Sequence, residues 1–404
     1  MLNIVIVNAY GRTNRGDCVL LDECIADINR KFGQQYSELS VSLFDPKGFS
    51  DIYPNITALE RIGNAGSGWQ GKLGKARIWL VALAYCLLPC SAILQWLPAG
   101  QAQTARKILS ADVVVSAPGG YIHDTNLAYL VAAFHVLLGV RGGARVILAP
   151  QSYGPLKSRF SRWLIRRIFN KVAVVCARES YSYEFLQKMG VDEALIKITG
   201  DSAFWNDHVL QGGTTDFFVG LGLKANEEFL GMTVVDWTFP GAAAADRLKA
   251  RYIAAMRDVI EAVYNKHGLR TVIFNQVQDD LSIAVKIANG LGGRVLIDTI
   301  DKEPELLRGL IAQAKVFVGT RFHSCIFALM AGVPTNAVAY LPKTQYILHD
   351  LGFTDRHVHI DDIDSNLLIS RIFADLDNLD GARQQIKTAV TDYRHTMSRL
   401  IDVL

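Results

Sequence analysis

The chain has 404 residues, 50% hydrophobic and 20% charged, with a formal net charge of +3. That length holds two domains, each able to bury its own core, and the composition excludes a disordered or fibrous protein. A charge so near balance is too small to argue for duplex nucleic acid, whose partners show a concentrated basic stripe on a strongly basic domain.

Cys18, Cys24, Cys86, Cys90, Cys176 and Cys325 are scattered and form no CxxC pair. They read as buried, reduced thiols of a cytoplasmic protein rather than as a disulfide framework or a zinc site. The opening run Leu2-Asn3-Ile4-Val5-Ile6-Val7 lacks the basic head and cleavage site of a signal peptide, which also predicts a cytoplasmic location.

Apolar, β-branched runs alternate with longer helical patterns, which predicts parallel βα units in a doubly wound α/β fold. Strands are expected at 3–7, 113–116, 146–149, 173–176 and 196–199. The first runs into a turn ending Asn14-Arg15-Gly16-Asp17, with Asp17 as N-cap of a helix whose apolar pattern starts at Cys18. Asn14, Gly16 and Asp17 there suit an anion or a sugar hydroxyl held by backbone amides; a plain strand-to-helix turn accounts for the same residues.

Residues 78–98 are apolar and uncharged, with Lys72, Lys75 and Arg77 before them, Trp79 and Trp96 near the ends and Pro89 in the middle. The readings are a membrane-dipping hairpin or interfacial helix, buried core helices, or a true span. Further on, Gly119 and Gly120 permit close backbone approach, His123 and Asp124 suit hydroxyls, and turn chemistry alone is the alternative. Gln151 and Ser152 follow the next strand and suit sugar recognition. Lys157, Arg159, Arg162, Arg166, Arg167 and Lys171 read as a solvated helix face or as a phosphate or lipid-headgroup patch. Arg178 directly follows a strand, at the carboxyl edge where open α/β sheets bind ligands. It either pairs with Glu179 or grips an anion, and the edge position favours the anion.

At Gln211-Gly212-Gly213-Thr214-Thr215-Asp216 the composition turns small and polar, which divides the chain into domains 1–210 and 211–404. Strands are expected at 231–235, 271–275, 294–297, 316–319 and 335–339, and helix through most of 363–404. Two doubly wound, Rossmann-like domains facing across a cleft constitute the GT-B-like arrangement.

In Gly319-Thr320-Arg321-Phe322-His323-Ser324 a strand stops and a helix begins near His323 or Ser324. Alternation in an extended stretch puts Arg321 and His323 on one side of Phe322. Cation, imidazole and helix dipole there favour a phosphate or carboxylate and supply a proton carrier near neutral pH. Tyr340 and Lys343 follow the next strand, so Arg178, Arg321 and Lys343 offer three cations to a small, multiply charged ligand.

Taken in order, Asn14-Arg15-Gly16-Asp17, Gly119-Gly120, Gln151-Ser152-Tyr153-Gly154-Pro155, Ala177-Arg178-Glu179-Ser180, Gly200-Asp201-Ser202-Ala203-Phe204, Thr320-Arg321-Phe322-His323-Ser324 and Tyr340 through Lys343 resemble the polysaccharide pyruvyl transferase family. The resemblance implies transfer of a pyruvyl group from phosphoenolpyruvate to a hexose of a surface polysaccharide or its lipid-linked precursor, as a ketal, with release of phosphate. By the same resemblance His323, Arg321 and Lys343 are catalytic. Arg178 joins them at the donor site by that resemblance, and Asn14, Gly16, Asp17, Gly119, Gly120, Gln151, Ser152, Ser324 and Tyr340 are expected to bind substrate as well. No metal or cofactor is implied, phosphoenolpyruvate being a substrate, and the expected workplace is the cytoplasm at the inner face of the plasma membrane. Ala117-Pro118 departs from the family, which often carries a third glycine before Gly119. Two other readings fit the motifs: a glycosyltransferase of this architecture with a nucleotide-sugar donor, and a non-catalytic, membrane-docked assembly protein.

Overall fold

The computed structural model describes residues 1–12, 14–65, 68–208 and 213–404. The chain forms two compact units, one of residues 1–13, 17–202 and 397–404 and the other of residues 14–16 and 203–396.

The first unit is built on strands β1 (Leu2–Ala9), β2 (Tyr36–Leu43), β3 (Thr57–Glu60), β4 (Val113–Ser116), β5 (Gly119–Ile122), β6 (Arg145–Tyr153), β7 (Val174–Ala177) and β8 (Ile196–Ile198). They pair in parallel in the order β3-β2-β1-β4-β6-β7-β8, with β5 beside β6. A parallel sheet covered on both faces needs strands apolar on both sides. In β1, accordingly, Val5 and Val7 enter one core and Ile4 and Ile6 the other.

The second unit carries β9 (Phe229–Thr233), β10 (Arg270–Ile273), β11 (Val295–Ile297), β12 (Val316–Gly319), β13 (Thr335–Ala339) and β14 (His357–His359). All pair in parallel, in the order β11-β10-β9-β12-β13-β14. Chain order reverses between β1 and β4 in the first sheet and between β9 and β12 in the second. Such a switch opens a crevice beyond the carboxyl ends of the strands, where ligands of doubly wound folds bind.

Several expectations need correction. The expected boundary at 210/211 lies outside the described residues, and the chain passes from the first unit to the second between Ser202 and Ala203. The tail does not stay with the second unit: Leu400 and Leu404 are buried among Cys24, Ile25 and Ile28 of the first, and Arg399 reaches Glu23 and Asp27 at 3.3 Å. Four thiols are buried, but Cys86 and Cys90 are exposed. The apolar segment becomes a helix, Gly68–Leu87, and a 3₁₀ turn, Ser91–Trp96. Ile78, Val81, Ala82, Tyr85, Leu94 and Leu97 line the core, whereas Leu80, Leu83, Leu87, Leu88 and Trp96 are exposed. Among the described residues, no helix is long and apolar enough to cross a membrane.

One buried group ties stability to pH. His135 is fully enclosed in the first unit, and burial, then the charge of Arg61, push its pKa down to about 3. A folded value below the unfolded one means that the unfolded chain takes up the extra proton. Stability is therefore flat above about pH 6.5 and falls as pH drops below it. Between pH 7 and 5 the loss is about 2 kcal/mol. Urea unfolding at the two pH values should show this slope in the native chain and a weaker one in His135→Gln.

Candidate active site

At the start of the chain, the strand-to-helix turn is capped differently from expectation. The helix Arg15–Phe32 begins three residues before Cys18. The Gly16 amide donates to Asn14 Oδ1 at 3.0 Å, so Asn14 is the capping side chain and Asp17 sits in the first turn. Burial and then Asp17 push the Tyr10 hydroxyl up from its ordinary value.

Residues 14–16 belong to the second unit. There Arg15, which the sequence reading passed over, is buried and paired with Asp301. Gln276 reaches Asn14 Oδ1 at 3.4 Å. Gly16 lies flat against the His323 ring: a Cβ at this position would collide with Nδ1, Cγ and Cβ of the imidazole. The glycine is therefore a requirement of packing against His323.

His323 is 4% exposed. It is the second residue of the helix Phe322–Met330, which starts one residue earlier than expected, with Arg321 as an extended N-cap. The imidazole thus meets Arg321 around a helix start and not by alternation along an extended stretch. Its ring stands edge-on to Phe322, centroids 4.9 Å apart, and parallel to Phe327 at 6.4 Å. Lys343, in the first turn of the helix Pro342–Asp350, holds Nζ 5.0 Å from the Phe322 ring centroid. Because β12 and β13 are paired neighbours, the helices that follow them bring two N-termini to one sheet edge. Arg321, His323, Tyr340 and Lys343 are gathered there, with Gly16 against the imidazole.

Arg321 has a partner that local sequence does not reveal. Asp280 grips it through two bonds, Nε to Oδ2 at 2.6 Å and Nη2 to Oδ1 at 2.7 Å, and also accepts from the Asp236 amide at 2.9 Å. Burial works against the guanidinium's charge, but Asp280 and Tyr340 outweigh it and its pKa lies above the ordinary value. A bidentate pair fixes the aim of the arginine plane, and the Tyr340 side chain bonds the same guanidinium. Asp280→Asn would loosen that aim without removing the cation. We expect kcat to fall about 10–100-fold with a smaller change in KM, measurable in steady-state assays.

Ser324 serves the scaffold: its Oγ donates to the Arg321 carbonyl at 2.7 Å and contacts Thr233 Oγ1 at 2.6 Å, fully buried.

Arg178, the third expected anion ligand, has a different role. It is 1% exposed, meets Asp201 Oδ2 at 3.0 Å and Glu179 Oε2 at 3.6 Å, and donates from Nε to Ser152 Oγ at 3.1 Å. Among the described residues, two carboxylates face this one guanidinium, a pairing that suits a structural role. Arg178 fastens the end of β6 to the loops after β7 and β8. Gly120 lies against it, with a hypothetical Cβ 3.6 Å from Nη2. Removing one member of a buried ion cluster strands the others. Arg178→Met should cost about 3 kcal/mol in urea unfolding, with no comparable change for an exposed control such as Arg159→Met.

Gln151 is also structural, buried and donating to Tyr121 Oη at 2.9 Å. Asp124 accepts from the Lys157 and Ser158 amides at 2.7 and 2.8 Å, which commits it to the loop. His123 contacts Thr125 Oγ1 at 2.6 Å. Gly119 opens β5 and is buried.

Known proteins bear on this geometry. Residues 20–342 match the family described as polysaccharide pyruvyl transferase. The amylovoran biosynthesis protein AmsJ of Erwinia amylovora is 24% identical over 317 residues, 72% of each chain. Among solved structures, Anabaena Alr3699/HepE in complex with UDP-glucose superposes with a TM-score of 0.60 at 12% identity, over 100% of this chain and 97% of that one. The UDP-GlcNAc 2-epimerase of Neisseria meningitidis does so with a TM-score of 0.59 at 10% identity, over 97% and 98%. These two likenesses are of fold, that of paired Rossmann-like domains. The family match spans most of the chain and includes the Arg321–His323 helix start: the protein belongs to the polysaccharide pyruvyl transferase family and is a pyruvyl transferase.

Proposed function

We propose that the protein moves the pyruvyl group of phosphoenolpyruvate onto two hydroxyls of one hexose, in a surface polysaccharide or its lipid-linked precursor, at the inner face of the plasma membrane. The observation that carries this reading is the meeting of Arg321, His323 and Lys343 around Phe322 at two helix N-termini. Phosphoenolpyruvate is small and carries a phosphate and a carboxylate, which suits two cations backed by helix dipoles.

In the reaction, His323 gives a proton to the methylene carbon, which becomes the methyl group. Positive charge then develops on the adjacent carbon, and a sugar hydroxyl forms the first C–O bond there, returning its proton to the imidazole. The bond to the phosphate oxygen breaks, and the second hydroxyl closes the ketal while its proton leaves with inorganic phosphate. Arg321 and Lys343 hold the phosphate and carboxylate and stabilise the departing phosphate.

The reading is tested by offering the purified chain phosphoenolpyruvate with a panel of hexosides and, separately, nucleotide sugars. Acceptor-dependent release of phosphate from phosphoenolpyruvate is expected. Turnover of a nucleotide sugar with silence toward phosphoenolpyruvate would contradict it, and binding without turnover would favour a non-catalytic role.

A further inference from the structure

We infer that the first unit docks on an anionic phospholipid surface through two of its helices, Gly68–Leu87 and Arg159–Phe169, acting as one patch. In the first helix Trp69, Leu73, Leu80, Leu83 and Leu87 are each 57–75% exposed. At 100° per residue they fall within an arc of about 80°, opposite the arc of Ile78, Val81, Ala82 and Tyr85 that faces the core. The helix is thus apolar on both its inner and outer faces, an arrangement that costs solubility unless something apolar covers the outside. Lys72 and Arg77 flank the leucine stripe, Lys72 exposed at a helical angle from which a long cation reaches headgroups and Arg77 donating from Nε to the Trp96 carbonyl at 2.6 Å.

The second helix supplies the charge. Phe160 and Trp163 stand outward, rings 5.9 Å apart, and Arg167 lies over Trp163 at 5.6 Å. A depression of about 330 Å³ beside them is lined by Trp163, Arg166, Arg167, Asn170, Lys171 and Gly190, a cationic and aromatic setting suited to a lipid phosphate. Both helices pack through the helix Ala128–Gly142: Arg141 donates to the Tyr85 carbonyl at 2.7 Å, the Tyr85 and Phe134 rings meet edge-on, and Tyr129 Oη contacts Ser161 Oγ at 2.7 Å. They share one apolar core and hence one face of the sheet.

Charge complementarity selects the occupant. Residues 61–111 contain no Asp or Glu, nor do residues 125–178, so the cations of both helices stand in acid-free stretches of chain. A second copy of this patch would repel it, a neutral protein groove would leave the arginines unused, and an anionic bilayer satisfies leucines, tryptophans and cations together.

The test is sedimentation of the full chain with vesicles of phosphatidylcholine alone or mixed with phosphatidylglycerol. Binding to the mixed vesicles, weakened by salt and small on phosphatidylcholine alone, is expected. Arg166→Glu with Arg167→Glu should weaken it about thirtyfold or more, and Leu80→Ser with Leu87→Ser comparably. Phosphate release with a soluble acceptor should stay as in the native chain, which keeps this inference separate from the proposed chemistry. Absence of binding to mixed vesicles, or binding indifferent to both pairs of substitutions, would overturn it. So would a concentration-dependent dimer in light scattering that Leu80→Ser with Leu87→Ser dissolves while vesicle binding is absent.

Discussion

His323→Asn should lower the rate of pyruvyl transfer by about 10²–10⁴ while the protein stays folded. The imidazole is the group at the helix start able to give and take a proton near neutral pH, and its surroundings hold it in one place. Phe322 and Phe327 border the ring, and Gly16 closes against it. Asparagine keeps a polar side chain of shorter reach at a buried position, so the thermal unfolding profile of the variant should stay close to that of the native chain. If phosphate release from phosphoenolpyruvate continued at the native rate, His323 would have no part in proton transfer.

Gly16→Ala should reduce activity almost as far, although residue 16 has no chemistry of its own. The added methyl would occupy the space of the imidazole, with Nδ1, Cγ and Cβ of His323 all inside any tolerable contact distance. The surrounding helix start is packed, so the ring must leave its position, and displacement of a reacting group by about 1 Å can cost about 10² in rate. Steady-state kinetics should show the loss mainly in kcat, with the unfolding midpoint little changed. A fully active Gly16→Ala variant would mean that the ring is free to move and that its observed place is not the working one.

Much of the scaffold is legible in the sequence. The expected strands 113–116, 316–319 and 335–339 coincide with β4, β12 and β13, because short, continuous β-branched runs between turns leave little alternative in a parallel sheet. β2, β3 and β14 escape the same reasoning. Tyr36–Leu43 mixes Ser and Glu among its apolar residues, Thr57–Glu60 is a four-residue edge strand, and His357–His359 has two histidines in three residues. Each becomes a strand by pairing with the strand next to it in chain order, a tertiary effect that overrides local pattern. The tail illustrates the same limit: helical spacing identifies 363–404 as helix but not that Leu400 and Leu404 are buried in the first unit's core.

The candidate site divides along similar lines. Arg321, His323, Tyr340 and Lys343 are legible because they follow strands directly, and a parallel sheet brings such positions to one edge. What the sequence hides is pairing over long separations. Asp280 lies 41 residues from Arg321 and Asp201 lies 23 residues from Arg178, so two of three cations that look available in the sequence have carboxylates against them. The Arg321 side chain remains 17% exposed beside its partner, which fits the aiming role expected of Asp280. For Arg178, enclosed with two acids, it signals a structural role. The turn Asn14-Arg15-Gly16 stands out by its motif, but why a glycine is needed there emerges only from the imidazole lying on it.

The central claim is that phosphoenolpyruvate is the donor and that His323 moves its proton. The most direct measurement is mass spectrometry of a hexoside acceptor after incubation with the enzyme and phosphoenolpyruvate carrying carbon-13 at its methylene carbon. The account predicts a labelled ketal, with one of its three methyl hydrogens drawn from solvent, made by the native protein and not by His323→Asn. Unlabelled acceptor from the native protein, or labelled ketal made equally well by both, would contradict it.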